Sequence, residues 1–596
     1  MLRAATGAVY LRSLLFRSLS SNRRSFHART ANYSTSNNVS DHDFEVDVLV
    51  VGSGPLGCTY ARKLHEKGRR VFMIDAGAQL SEIPGWHLKN SFLYQRNVNQ
   101  FTGVIEGHLH TLSVPPDDSA VPTLDPGAFA VDRDKYKGFV SENKNPRQDP
   151  FVNLPKAAAT YAVGGMSTHW TACTPREYPE YRSDLIDSET WDSLYREAES
   201  LLKTNQNMFD DTKIDDHPGG GAPGGIRHFI RNHLVRDTLR EAYPHLNEPN
   251  EIPQYLPLAG VRRTDAPEYI TWSGADTVLG DDMLAKLKEN DGTFQLKEMW
   301  QCRKLLYTDP DQGAQKVRYA VVRDLLEKKD LIIKADTIVL AAGAVLTPQI
   351  MYNSDIDLPA LGHYLCEQPL AFCQVVLLQS LVDSIEKNPD WKPIVDAFRK
   401  KHPNDPIPIP YTDPQPQCWI PVSDSRPWHC QVHRDAFSYG GVAPNVDTRL
   451  IVDLRWFGKM EPKFENHVSF SSEDNLNRDT FGMPQPTFHV KLSDKDRNLA
   501  HEMMEDMLVA AGKLGGFLPG SEPSFQEPGL ALHITGTCRM GNSPTDSVVD
   551  TNSRVWGFEN VYLGTCGVIP VGSSCNPTLT AMALAIHACK SIEKSG

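Results

Sequence analysis

The chain has 596 residues and a formal charge of −13, with 40% hydrophobic and 23% charged residues. That balance fits a globular protein of roughly three to four domain-sized units, and its acidity excludes a general nucleic-acid binder. No run of ~18 apolar residues offers a transmembrane helix, and eleven scattered cysteines without a C-x-x-C pair point to reduced thiols rather than disulfides or a zinc site.

Residues 1–40 hold six arginines and many serines but no Asp, Glu or Lys. This composition predicts a mitochondrial transit peptide over 1–42. The alternative is a disordered tail or a propeptide, removed from an extracellular or periplasmic product. The only two N-x-S/T sequons, Asn32 and Asn38, fall inside this leader.

Next comes an apolar run, Val46–Val51, then glycines at 52, 54 and 57, a helical pattern through Ala61, Leu64 and Lys67, and a second apolar run, Val71–Ile74. Strand, G-x-G-x-x-G turn, helix and strand in register predict a dinucleotide-binding unit. Gly52 allows the tight turn, Gly54 lets backbone amides approach a pyrophosphate, and Gly57 lets helix and strand pack closely. Asp75, at the end of the second strand, is placed to accept hydrogen bonds from ribose hydroxyls, the plainer reading being a turn residue.

Residues 108–155 are loop-rich and proline-rich, as expected of an arm touching another subunit or of a solvated loop. The stretch YAVGGMSTHWTACTP, residues 161–175, puts Gly164 and Gly165 beside His169 and Trp170. Backbone can approach a flat ligand there, although a single histidine is more often a packing residue. Val317–Val322 and Asp336–Gly343 read as strands, and Thr347–Pro348 as the start of a helix. Residues 375–415 are charged and proline-rich, with a helix near Trp391–Phe398, and predict an inserted subdomain. From Cys418 to Phe470 the alternation is strand-like. Gln431, His433, Asp435 and Arg455 in this region can hydrogen-bond a polyhydroxylated ligand, and Gly440–Gly441 suggests a mobile loop. Near the C-terminus stand HITGTCRMG (533–541) and CNPTLTAMALAI (575–586), the latter with Asn576 and Pro577 opening a long helix.

Taken together, GSGPLG, VGGMSTHWT, DAFSYG, MPQPTF, GGFLPG and CNPTLTAMALAI resemble the fungal pyranose 2-oxidases, members of the glucose-methanol-choline (GMC) flavin oxidoreductases. The resemblance runs from about residue 45 to the C-terminus. It implies an α/β fold: a Rossmann-like FAD-binding domain from 43–107, 156–355 and 530–596, and a second, β-sheet substrate domain from 356–529, with 108–155 as the oligomerisation arm. It implies FAD attached covalently through His169, with Thr171 near the flavin N5 atom. Gln431, His433, Asp435 and Arg455 would lie on the substrate side, with His533 as catalytic base and Asn576 as its partner. It implies a homotetramer that oxidises an aldopyranose at the second carbon and passes electrons to oxygen or a quinone. A glycoside or other secondary alcohol as substrate, or a flavin-binding protein without catalysis, are the alternatives. Cys538 stands where a related enzyme has a second histidine, and reads as a packing residue or as one that tunes the flavin pocket.

Overall fold

The computed structural model describes residues 42–115, 143–209, 228–266, 268–307, 314–434, 442, 445–471 and 478–592. The leader, the central part of the expected arm and the loop holding Asp435, Gly440 and Gly441 lie outside the described residues. Two sheets organise the described chain. In the first, strand Phe44–Val51 lies in parallel between Val71–Ile74 and Lys329–Leu340, and Phe294–Lys297 extends the parallel side. Trp300–Tyr307 and Val317–Asp324 add antiparallel strands beyond Lys329–Leu340, whose far end also pairs with Val561–Leu563. Val48–Val51 and Val71–Ile74 are wholly buried, as a parallel sheet covered on both faces requires. One face is covered by helices Pro55–His65 and Thr578–Ile592, which pack on each other. The first helix ends at His65, two residues earlier than its pattern suggests, and Lys67 instead donates to the Cys589 carbonyl at 3.0 Å.

The second sheet is antiparallel, in the order Gly515–Phe517, Leu370–Leu377, Ile451–Phe457, His429–His433, Gln417–Ile420 and Gln254–Tyr255. Its Gln254–Tyr255 strand comes from within 156–355, the stretch expected for the cofactor domain. Helix Asp494–Leu514, opened by a capping box at Ser493 and Asp496, packs on this sheet. The residues expected to form an inserted subdomain continue the strand Leu370–Leu377 into helices Gln379–Lys387 and Lys392–Lys401.

One helix begins earlier than proline chemistry predicts. It spans Gly343–Asn353, with Pro348 inside it rather than near its start. Proline cannot donate to the carbonyl four residues back, and that carbonyl, of Ala344, accepts the Thr537 hydroxyl at 2.5 Å. A side chain from the C-terminal segment thus satisfies what Pro348 leaves open. All eleven cysteines are unpaired. Among the described residues no helix is long and apolar enough to cross a membrane.

Candidate active site

A single cavity is lined both by Gly52, Gly54, Asp75, Gly165 and Thr171 and by Gln431, Arg455, His533 and Asn576. The glycines fit a dinucleotide by steric necessity. A Cβ on Gly57 would lie 2.0 Å from the Gly52 carbonyl oxygen, and one on Gly52 2.3 Å from that of Ala341. A Cβ on Gly54 would meet nothing nearer than 4.0 Å, so the space beside it is open to a ligand. Gly54, Pro55 and Leu56 begin the helix and line the cavity, so its unpaired first-turn amides suit a pyrophosphate.

Asp75 does more than wait for a ribose. Its Oδ2 accepts from Ser53 N (2.9 Å) and Ser53 Oγ (2.6 Å), and its Oδ1 accepts from Gly77 N (2.7 Å). Three of about four acceptor positions on a carboxylate are filled, leaving capacity for one ligand hydroxyl. Ser53 Oγ in turn accepts the Gly164 N–H at 2.8 Å, locking the two glycine loops together. Gly164 itself packs on Gly85, while Gly165 faces Gly54 and lines the cavity.

His169 is fully buried and lies behind the wall. Thr168 Oγ1 donates to the Gly165 carbonyl (2.9 Å), so it can only accept from His169 Nδ1 (3.0 Å). The proton therefore sits on Nδ1, and Nε2 presents its lone pair to Thr160 Oγ1, 3.3 Å away on the cavity wall. Burial pushes this imidazole down to about 3, so it stays neutral near pH 7.

Elsewhere on the wall, His533 Nδ1 lies 2.7 Å from Gln368 Oε1 and its Nε2 3.1 Å from Asn576 Nδ2. Asn576 Oδ1 accepts from Gln431 Nε2 (2.7 Å), which also donates to His429 Nε2 (2.9 Å). Gln431 and Arg455 are register partners on adjacent strands, which is why both reach the wall. His433 hydrogen-bonds Gln417 at 3.2 Å and is not among the lining residues. Burial, aided by neighbouring His429, pushes His533 down to about 3. Phe457 packs on both imidazoles, at 4.7 Å from His429 and 5.3 Å from His533.

Backbone strain marks the same places. Leu532, just before His533, and Ala172, just after Thr171, have φ of 58° and 57°. A side chain in that region costs ~1–3 kcal/mol and persists only where its surroundings enforce it. Glu367 does so for Leu532–His533, its two oxygens accepting the His533 N–H at 3.2 and 3.1 Å. Burial pushes the Glu367 carboxyl up to about 8. Sequence reasoning missed Glu367, Gln368 and His429. Their only mark in the sequence is a Glu-Gln pair directly before an apolar strand, and a histidine alternating with Gln431. Cys538 is buried in the core and does not line the cavity.

Residues 462–585 match the family model described as GMC oxidoreductase. Pyranose 2-oxidases of Tricholoma matsutake and Lyophyllum shimeji are each 40% identical, over 92% of this chain and 93% and 91% of their own lengths. A C-glycoside 3-oxidase of Microbacterium trichothecenolyticum is 30% identical over 92% of this chain and 96% of its own. Among solved structures, a formate oxidase of Aspergillus oryzae RIB40 superposes with a TM-score of 0.61 at 14% identity, covering 93% of this chain and 99% of its own. The likeness to that structure shows the fold alone. The chain belongs to the pyranose 2-oxidase group of the GMC oxidoreductases.

Proposed function

We propose that this chain is an FAD-dependent oxidase of aldopyranoses, removing hydrogen from the second carbon, with oxygen or a quinone as final acceptor. The observation that carries the reading is the pairing of His533 and Asn576 on the wall of the cavity that the glycine cradle also lines, in a chain so similar to pyranose 2-oxidases. Bound FAD supplies a two-electron acceptor. The residues supply the rest. His533 Nε2 carries a lone pair and takes the proton of the reacting hydroxyl, with Asn576 Nδ2 donating to the same oxygen. Gln431 holds Asn576 in place, and Arg455 offers a charged donor to the remaining hydroxyls. In this reading Thr171, on the cavity wall, would contact the flavin.

The C-glycoside 3-oxidase relative makes the carbon of attack the point to test. Glucose deuterated at C2 should slow anaerobic flavin reduction severalfold, and glucose deuterated at C3 should not. An isotope effect confined to C3 would move the chemistry to the third carbon.

The reading includes a covalent bond from His169 Nε2 to the flavin, supported by the lone pair that Thr168 leaves on that nitrogen. In His169→Ala, acid-precipitated protein should lose its yellow colour while native protein still binds FAD. A precipitate as yellow as the parent's would place the link elsewhere. The homotetramer and mitochondrial targeting by the leader complete the proposal, to be read from sedimentation and from import with and without residues 1–42.

A further inference from the structure

We infer that Gln368 is a positioning residue that fixes the tautomer of His533. The inference rests on the proposed role of His533, but its proton assignment comes from the hydrogen bonds themselves. Gln368 Nε2 lies 2.9 Å from the Ser573 carbonyl oxygen and 2.9 Å from that of Cys575. A carbonyl only accepts, so the amide nitrogen must face those two atoms and Oε1 must face His533 Nδ1. Oε1 is likewise only an acceptor. The single proton of a neutral imidazole therefore sits on Nδ1, and Nε2 keeps its lone pair on the cavity side.

A second anchor gives the same answer from the far end. His429 Nδ1 faces the Ser574 carbonyl and must carry its proton, so His429 Nε2 accepts from Gln431. The other N–H of Gln431 goes to Asn576 Oδ1, which turns the Asn576 amide nitrogen toward His533 Nε2. Three successive carbonyls, of residues 573, 574 and 575, thus dictate every proton in the chain Gln368–His533–Asn576–Gln431–His429. That run is itself held by buried Glu177, which accepts from Ser573 Oγ (2.6 Å) and Ser574 N (3.3 Å). With the other tautomer, Nε2–H would oppose the Asn576 N–H and His533 would have no lone pair for a substrate proton.

Two measurements test this. In ¹⁵N-histidine-labelled holoenzyme, the His533 resonances, assigned by their loss in His533→Ala, should show a protonated Nδ1 and a bare Nε2 near neutral pH. The reverse pattern overturns the assignment whether or not any sugar is oxidised. The second compares Gln368→Leu with Gln368→Glu, using FAD-loaded protein reduced anaerobically by glucose across pH. Leucine removes the acceptor, and the reduction rate should fall ~10–100-fold with sugar affinity within about threefold, as for one hydrogen bond to a reacting group. Glutamic acid can still accept from Nδ1 and, when protonated, donate to a carbonyl. It should recover most of the rate, and its negative charge, once ionised, should move the acid limb to higher pH. Leucine at the parent rate, or glutamate as slow as leucine with an unmoved pH profile, would reduce Gln368 to a loop support and overturn the inference. If leucine prevents folding, the glutamate profile and the resonances decide. A parent enzyme that no sugar reduces would count against the substrate reading and leave the resonance test standing.

Discussion

His533→Ala should slow anaerobic reduction of bound flavin by an aldopyranose by ~10²–10⁴-fold, about 3–5 kcal/mol of barrier, while FAD loading stays at the parent level. The expectation follows from a nitrogen that has one lone pair, one donor beside it, and a carboxamide fixing its far side. Burial lowers the imidazole to about 3, so it is neutral near pH 7 and the loss should be nearly independent of pH above about 5. Rapid-scanning spectrophotometry of the two proteins at saturating sugar gives the ratio directly. A variant within about threefold of the parent would remove His533 from the proton-transfer step.

The second large effect is expected from a single methyl group. Gly57→Ala places a Cβ 2.0 Å from the Gly52 carbonyl oxygen and 3.3 Å from the Ala341 Cβ. Backbone cannot yield there without opening the junction of the first strand, the first helix and the strand Lys329–Leu340. The variant should therefore lose FAD or fail to fold, seen as colourless or insoluble protein. Gly54→Ala is the instructive contrast, because its Cβ enters open space beside the cavity. It should fold normally and bind FAD more weakly. Equal FAD content in Gly57→Ala and the parent would contradict the packing argument.

The nucleotide unit was legible because its determinants are local. Strand, turn, helix and strand lie within some thirty residues, and each glycine acts on a neighbour in sequence or on one adjacent strand. His533 and Asn576 were legible through motifs that resemble a known family. What stayed hidden is non-local. Gln368 reaches His533 from 165 positions away, and nothing about a Glu-Gln pair before a strand announces which imidazole it will face. Strand Gln254–Tyr255 has only two residues, too few for alternation to register, yet it completes the second sheet. Pro348 misled for a related reason. The rule that proline opens a helix assumes that the freed carbonyl finds no other donor, and Thr537 provides one from the far end of the chain. Asp75 was read as a ribose acceptor or a turn residue; its bond to Gly77 is that local turn, whereas its lock on Ser53 appears only once the two strand ends are side by side.

In the proposed function one cavity joins a flavin cradle to a base able to deprotonate a sugar hydroxyl. The most direct measurement is an anaerobic titration of the purified, FAD-loaded protein with an aldopyranose, followed in the visible flavin band. The protein should be yellow, bleach with sugar and regain its colour when oxygen or a quinone is admitted. Protein that takes up no flavin, or takes it up and keeps its colour with every aldopyranose offered, would contradict the proposed function.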